Sequence, residues 1–277
     1  MERLRYIAEK CGGTALAEIL PAAAGAALEA GRLIKNLYGQ AVRVDHKGVI
    51  DLVTDADRAA EAAILQILAE KTPGVSFLAE ESAADFQGMP AGPAWIIDPL
   101  DGTTNFAHGF PWFGVSIAYW QEGRCRAGVI YCPMLDELFW AGENRGAWLN
   151  HNAIRVSGVA LLENSLLATG FPYNVQQEPG PVLAALGRLL PKAQGVRRAG
   201  AAALDLAYVA CGRLDGFWEI NLKPWDTAAG QLLVTEAGGR LTDFRGRAYD
   251  PFVAEVVASN SAIHQPLVQL LADFSRG

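Results

Sequence analysis

Two aspartates that could bind a metal or take part in catalysis follow a short apolar run in the first half of the chain. The run Trp95–Ile97 predicts the end of a buried strand, and Asp98 and Asp101 come directly after it. Pro99 has no backbone donor, so we expect the strand to stop there. Gly102 allows a tight turn, whose backbone N–H groups could receive a phosphate oxygen. Carboxylates beside such a turn would repel phosphate unless a cation lay between them, and oxygen ligands of this kind suit Mg²⁺.

Each of these acidic positions also has a purely structural explanation. The two aspartates could form an ordinary acidic turn after a strand, with Thr103 or Thr104 capping the helix that follows. Thr54 is expected to cap another helix, and Asp57 at its third position resembles the acid of a capping box. Asp226 also stands at a helix start, where an aspartate is often a cap. One motif alone does not decide between a structural and a functional role for these acids.

The acidic residues recur at the ends of elements that are far apart in the chain. Glu80 directly follows a second short apolar strand, 75–79. Ligands in sheet proteins often gather beyond strand ends. We therefore expect Glu80, Asp98, Asp101 and Asp226 to come together. Four such carboxylates could hold two or three Mg²⁺ ions, which stabilise the attacking and leaving oxygens in phosphoryl transfer.

Composition restricts the class of protein. The chain has 277 residues, of which 51% are hydrophobic, enough for a large core in one or two joined domains. A net charge of −7 without a Lys/Arg run argues against a nucleic-acid partner. The four cysteines lack CxxC spacing and the four histidines lack zinc-site spacing. With no signal peptide and no unbroken apolar span, we expect a cytoplasmic protein that does not enter a membrane.

The pattern of helices and strands predicts two packed parts. The first carries helices over 14–38 and 55–71 beside an antiparallel sheet. Helices and strands mix again from about residue 155. We divide the chain into an N-terminal extension (1–12), an N-terminal α+β metal-binding domain (13–152) and a C-terminal α/β domain (153–277). The active site is expected in the cleft between the last two.

Four separated motifs, in order, resemble those of the inositol monophosphatase family, within the larger lithium-sensitive, magnesium-dependent phosphatase superfamily. They are Asp51–Asp57 (DLVTDAD), Ala79–Ser82 (AEES), Trp95–Phe106 (WIIDPLDGTTNF) and Pro224–Gly239 (PWDTAAGQLLVTEAGG). The stretch Arg197–Glu219 is similar to bacterial members in particular. The resemblance covers nearly the whole chain from about residue 14.

The resemblance implies an α+β fold, a layered αβαβα sandwich, usually as a homodimer. It implies a phosphoric monoester hydrolase that releases phosphate from inositol 1-phosphate or a similar polyol phosphate by metal-activated water. Two or three Mg²⁺ ions per site and inhibition by lithium are part of the same expectation.

The resemblance also implies roles for individual residues. The metal ligands would be Glu80, Asp98, the Leu100 carbonyl, Asp101 and Asp226. The catalytic residues that orient and deprotonate the water would be Asp57, Glu80 and Thr103. The substrate-binding residues would be Gly102, Thr103, Ala202, Glu219 and Asp226. Lys47 lies where the family often has a basic residue near the site. The family often has a hydroxyl residue where this chain has Ala201, which affects only the fine substrate contacts.

Two other functions remain open. The same chemistry could act on fructose 1,6-bisphosphate, histidinol phosphate or a 3′-phosphonucleotide, substrates that call for extra basic residues at the cleft. Arg197 and Arg198 could reach a second phosphate, or they could be surface or dimer contacts. The other alternative is a regulatory or scaffold protein whose phosphatase activity is incidental.

Overall fold

The computed structural model describes residues 1–40, 44–46, 52–83 and 88–274. The α-helices of these residues are α1 (Glu2–Lys10), α2 (Leu16–Leu37), α3 (Asp55–Lys71), α4 (Thr103–Ala107), α5 (Gly180–Leu189), α6 (Ala202–Ala210), α7 (Pro224–Glu236) and α8 (His264–Leu271). The strands are β1 (Val44–His46), β2 (Leu52–Thr54), β3 (Ser76–Ala79), β4 (Ala94–Asp101), β5 (Gly114–Gln121), β6 (Arg124–Cys132), β7 (Glu137–Gly142), β8 (Ala147–Leu149), β9 (Asn152–Ile154), β10 (Leu166–Thr169), β11 (Gly195–Arg197), β12 (Gly216–Ile220), β13 (Arg240–Thr242) and β14 (Glu255–Ser259). Two short 3₁₀ helices cover Leu162–Asn164 and Ala272–Phe274.

The larger sheet has seven strands in chain order, from β3 to β9. Alternate residues of β4 enter two different cores, because side chains alternate between the faces of a strand. Trp95 and Ile97 pack with α1, α2 and α3 on one face. Ile96 packs with α6 and α7 on the other. All neighbouring strands are antiparallel except β3 and β4, which are parallel, so the expected antiparallel sheet is in fact mixed.

Besides the separate antiparallel pair of β1 and β2, a smaller sheet has five strands in the order β11-β10-β12-β14-β13. Helices α6 and α7 lie between the two sheets and share one core with both. Helices α5 and α8 cover the outer face of the smaller sheet, around Phe244 and Val257. The layers are therefore helix, sheet, helix, sheet, helix, and the predicted αβαβα sandwich is confirmed.

The N-terminal segment packs against the larger sheet. Ile7 of α1 is buried in the core beneath α2. Arg3 makes a two-pronged ion pair with Asp136, at 2.8 and 2.7 Å. The Tyr6 hydroxyl donates to the His151 carbonyl at 2.9 Å. The division into an extension and two domains stays a prediction. None of the described helices combines the length and the apolar character that a membrane-spanning segment needs.

Strand β4 does not stop at Pro99, as the sequence predicted, but continues to Asp101. Its pairing with β5 is irregular between Asp98 and Asp101, where the register shifts. A proline in a bulge removes no ladder hydrogen bond, so the strand tolerates it there. The irregularity places both aspartates at the same end of the sheet. Two short strands that the sequence did not reveal, β9 and β11, extend the sheet edges.

Candidate active site

A cavity of about 400 Å³ opens between the two sheets. The strand ends predicted to meet do meet there, because the turn after β4, the end of β3 and the starts of α6 and α7 all border it. The sequence-predicted residues in its wall are Glu80, Asp101, Gly102, Thr103, Ala202, Glu219 and Asp226. Asp98 and Leu100 lie beneath this wall in the core, and Asp57 reaches it through Thr103. Lys47 lies outside the described residues.

The two aspartates of β4 are held by backbone amides. Asp98 is buried, and its Oδ1 accepts a hydrogen bond from Leu100 N at 2.9 Å. Asp101 Oδ2 accepts one from Ala203 N, at the start of α6, at 2.7 Å. That bond fixes the larger sheet to a helix that the second half of the chain provides. Among the described residues, neither aspartate forms an ion pair.

The turn after β4 depends on a glycine. Gly102 has φ +95°, and a Cβ there would lie 3.0 Å from the Trp112 carbonyl. It precedes the short helix α4 as its N-cap, so the predicted capping by Thr103 or Thr104 is wrong. The Thr103 hydroxyl lies instead between two acceptors, Asp57 Oδ1 at 2.8 Å and Leu100 O at 3.0 Å. This hydroxyl has one proton for two acceptors, so only one of the two contacts can be a hydrogen bond at a time.

Asp57 serves both the helix and the cavity. Its Oδ2 accepts from the Thr54 N–H at 2.8 Å and from the Thr54 hydroxyl at 2.5 Å, and Thr54 caps α3 in return. This confirms the predicted capping box. Its other oxygen accepts the bond from Thr103. Burial raises the pKa of the Asp57 carboxyl above its usual value, although these hydrogen bonds oppose the change.

Asp226 is placed by the first turn of α7. Pro224 begins the helix, and the Lys223 N–H donates to Asp226 Oδ2 at 2.6 Å. The Ser116 hydroxyl of β5 donates to the Trp225 carbonyl at 3.0 Å, which joins this helix start to the larger sheet. Glu80 comes from the end of β3, where its N–H donates to the Ile97 carbonyl at 3.1 Å.

These acids repel one another. Burial raises the pKa of Asp98 well above its usual value, and the charges of Glu80, Asp101 and Asp226 raise it further. Burial and the charge of Glu80 raise the pKa of Asp101 to about 7, although backbone hydrogen bonds oppose the change. Buried acids without a cation partner hold their charge poorly. The electrostatics therefore favour a bound cation at this end of the cavity.

The carboxylates do not yet form a closed coordination shell. Across the described part of the chain, no three acidic, histidine or cysteine side chains are grouped closely enough to hold a metal ion between them. Asp98, Asp101 and Asp226 each turn one oxygen to a backbone amide instead. Their donor atoms are all oxygens, which fits a hard cation such as Mg²⁺. The chemistry of the donors thus fits the metal, and ligation requires the side chains to draw together.

The other side of the cavity also carries acids. Glu219 of β12 is buried, and the Cα of Gly170 faces its carboxyl group so closely that an added Cβ would overlap it. Burial raises the pKa of Glu219 well above its usual value, and the charges of Asp205 and Asp226 add to this. Asp205 was not predicted as a site residue. The only signal was one acid in the otherwise apolar run ALDLAYVA of α6.

The chain is similar in sequence and structure to known proteins. The model of the inositol monophosphatase family matches residues 15–275. Inositol-1-monophosphatase from Mesorhizobium japonicum is 44% identical over 246 residues, which cover 88% of this chain and 92% of that protein. The Nus factor SuhB of Escherichia coli is 43% identical over 257 residues, covering 92% of this chain and 96% of that protein.

A solved structure shows the same architecture. The extragenic suppressor protein suhB from Bartonella henselae superposes with a TM-score of 0.85 at 44% identity, covering 91% of this chain and 98% of that one. The family match spans both sheets and every described residue of the cavity wall. The chain therefore belongs to the inositol monophosphatase family and is an enzyme of the phosphatase type.

Proposed function

We propose that this protein is a Mg²⁺-dependent phosphomonoesterase that hydrolyses inositol 1-phosphate or a similar polyol phosphate. The observation that carries the proposal is the end of β4. There, two aspartates without an ion pair among the described residues adjoin a glycine turn and a hydrogen-bonded Thr103–Asp57 pair. Negative charge at the metal side, backbone N–H groups at the turn and a nearby base suit the hydrolysis of a phosphate ester.

The metal would be held by Glu80, Asp98, the Leu100 carbonyl, Asp101 and Asp226, as two or three Mg²⁺ ions. When bound, Mg²⁺ supplies charge neutralisation for the phosphoryl group and activation of water. The amides of Gly102 and Thr103 would donate to the phosphate, because the first N–H groups of a helix have no intrahelical partner.

Thr103 and Asp57 would take up the proton of the attacking water. When the Thr103 hydroxyl donates to Asp57, its lone pairs are available to accept a hydrogen bond from the attacking water. Burial raises the pKa of the Asp57 carboxyl above its usual value, which makes it a stronger proton acceptor than an exposed aspartate. Glu80 would orient the same water beside this pair, while Ala202, Glu219 and Asp226 would contact the polyol.

The test is phosphate release from a panel of phosphomonoesters, with and without Mg²⁺. The panel contains inositol 1-phosphate, glycerol 2-phosphate, fructose 1,6-bisphosphate, histidinol phosphate and 3′-phosphoadenosine 5′-phosphate. We expect Mg²⁺-dependent release that is fastest from inositol 1-phosphate and is inhibited by millimolar Li⁺. The control is Asp98→Asn, which should lose turnover and bind Mg²⁺ more weakly in calorimetry without a lower Tm. Full turnover by Asp98→Asn would refute the ligand assignment.

A regulatory role is the second candidate function. It is favoured by the relatives named Nus factor SuhB, which are as similar to this chain as the relative named inositol-1-monophosphatase. The test replaces the gene in its own host with Asp98→Asn and compares growth with a deletion. Rescue by this variant, with no phosphatase activity left, would support the regulatory role. Failure to rescue would make turnover the required function.

We further propose that the protein works in the cytoplasm as a homodimer, with its site in the cleft between the domains 13–152 and 153–277. All four cysteines are free thiols, which supports a reducing compartment. The dimer rests on the resemblance to the family. Light scattering after size exclusion would test it, because the 29.6 kDa chain should elute at twice that mass.

A further inference from the structure

Two buried acids line the cavity on the side formed by α6 and β12. Asp205 is 2% exposed and Glu219 is 8% exposed, and both border the cavity. The described residues give neither carboxyl group a hydrogen bond. A buried carboxyl group without donors is costly. The missing donors must therefore come from whatever occupies the cavity.

The backbone beside β12 makes room for the Glu219 side chain. Thr169 of β10 lies opposite Trp218 of β12 in a parallel pair, so the next residue of each strand follows side by side. That residue is Gly170 opposite Glu219, and a Cβ on Gly170 would overlap the carboxyl group. The glycine thus lets this acid lie flat against the cavity wall.

Arg198 borders the cavity together with the two acids. The Arg198 guanidinium lies 5.0 Å from the centre of the Phe171 ring, at the edge of the same cavity. Its Nη1 lies over Gly200, 2.6 Å from where a Cβ would be. Its positive charge acts on both Asp205 and Glu219, because it opposes the rise in the pKa of each. Arg198 and Lys223 border the cavity together with five carboxyl groups, so its described wall carries no excess positive charge for a second phosphate.

We propose that Asp205 is a specificity-determining residue, which together with Glu219 binds neighbouring hydroxyl groups of a polyol monophosphate. This inference rests on the proposed phosphatase function and names its substrate class. Hydroxyl groups can supply the donors that both carboxyl groups lack. A substrate with a second phosphate would bring a dianion against the two acids, so Asp205 also selects against bisphosphates.

The test compares the wild type with Asp205→Ala and Asp205→Asn on three substrates in the presence of Mg²⁺. These are inositol 1-phosphate, p-nitrophenyl phosphate, whose leaving group has no hydroxyls beyond the ester oxygen, and fructose 1,6-bisphosphate. Asp205→Ala should raise KM for inositol 1-phosphate about tenfold or more, because hydrogen bonds to charged groups are worth about 1.5–3 kcal/mol. Its kcat/KM ratio of inositol 1-phosphate to p-nitrophenyl phosphate should fall by the same factor.

Asp205→Asn keeps the shape and removes the charge. We expect it to lower KM for fructose 1,6-bisphosphate, which is opposite in direction to the effect on inositol 1-phosphate. If Asp205 had only a structural role, its variants would change kcat/KM for all three substrates by the same factor. Asp215→Asn is the matched control, because this buried acid accepts from the Leu166 N–H at 2.6 Å, outside the cavity wall. It should lower Tm and leave the substrate ratios unchanged.

Three results would overturn the inference. If Asp205→Ala changes kcat/KM for the three substrates by one common factor, Asp205 does not select. If the wild type hydrolyses p-nitrophenyl phosphate but none of the polyol phosphates, the cavity does not bind polyols, although the phosphatase function stands. If the wild type hydrolyses no phosphomonoester, the proposed function fails and the inference fails with it.

Discussion

A methyl group added at Gly128 should lower phosphatase activity, although this residue does not border the cavity. Gly128 lies in β6 beneath α7, where a Cβ would be 2.9 Å from the Ala229 carbonyl oxygen and 3.0 Å from its Cα. Both contacts are with helix backbone, so no side-chain rotation can relieve them. Helix α7 also carries Asp226, one turn before Ala229. The Gly128→Ala variant therefore moves a proposed metal ligand without touching the cavity.

The size of the effect follows from these distances. Ordinary contact begins near 3.4 Å, so α7 must retreat by about 0.5 Å from a Cβ that would otherwise lie at 2.9 Å. Overpacking of this kind costs about 1–3 kcal/mol, and the stiffer unfolded chain returns about 0.4–1 kcal/mol. We expect a net loss of about 1–2 kcal/mol. A misplacement of about 1 Å can cost about 100-fold in rate, so half of that predicts about a tenfold loss of kcat/KM.

The assay pairs Gly128→Ala with Gly142→Ala in the neighbouring strand β7. A Cβ at Gly142 would meet the ends of two flexible side chains, Leu16 and Leu20, each at 3.0 Å. Urea unfolding measures stability, and Mg²⁺ titration of phosphate release measures activity. Gly142→Ala should lose stability at most and keep full activity. Equal activity of the two variants, with Gly128→Ala clearly destabilised, would show that the position of α7 does not control the site.

Three further changes probe the site and the core. Thr103→Val should lower kcat at least 100-fold and Thr103→Ser should retain most of it, because only the hydroxyl bridges to Asp57; equal rates in initial-velocity assays would exclude the relay. His264 is buried between two hydroxyl groups and burial lowers its pKa to about 4. The neutral His264 side chain therefore makes its full contribution to stability above its unfolded pKa of about 6.5, and about 3 kcal/mol of the free energy of unfolding is lost as the pH falls through 6.5 towards 4. Urea unfolding should show a flatter pH dependence of stability for His264→Gln than for the wild type. Asp215→Ala should cost about 3 kcal/mol, because it leaves the part-buried Leu166 N–H and Ser157 hydroxyl without their acceptor. A Tm within 2 °C of the wild type would contradict this, since about 2–4 °C is expected per kcal/mol.

The features that sequence could predict are those set by neighbours along the chain. The capping box of Thr54 and Asp57 needs only three residues of spacing, and it forms as expected. The grouping of acids at strand ends follows from the general geometry of sheets. The stop at Pro99 was wrong, because a bulge against β5 removes the need for its N–H, and that register is set by the partner strand.

The features that sequence could not predict depend on register across the fold. Gly170 and Glu219 are 49 positions apart and meet only because β10 and β12 pair in parallel at one register. Asp205 reaches the cavity because α6 is clamped between two sheets, with the Ala203 N–H bonded to Asp101. No local spacing encodes either contact.

The strand order has a consequence for how the protein is made. Each strand of the larger sheet pairs with the strand next to it in the chain, and the pairs from β4 to β9 are antiparallel, so this part of the sheet can assemble hairpin by hairpin as the polypeptide leaves the ribosome. The strands of the smaller sheet are joined by crossover connections, and the sheet cannot be complete until β14, near the C-terminus, has been synthesised. Helix α7, which fills the space between the sheets, is translated only after the whole larger sheet. A nascent chain should therefore carry a nearly complete first sheet with an exposed apolar face, and it should gain enzymatic competence only in the last stage of its synthesis.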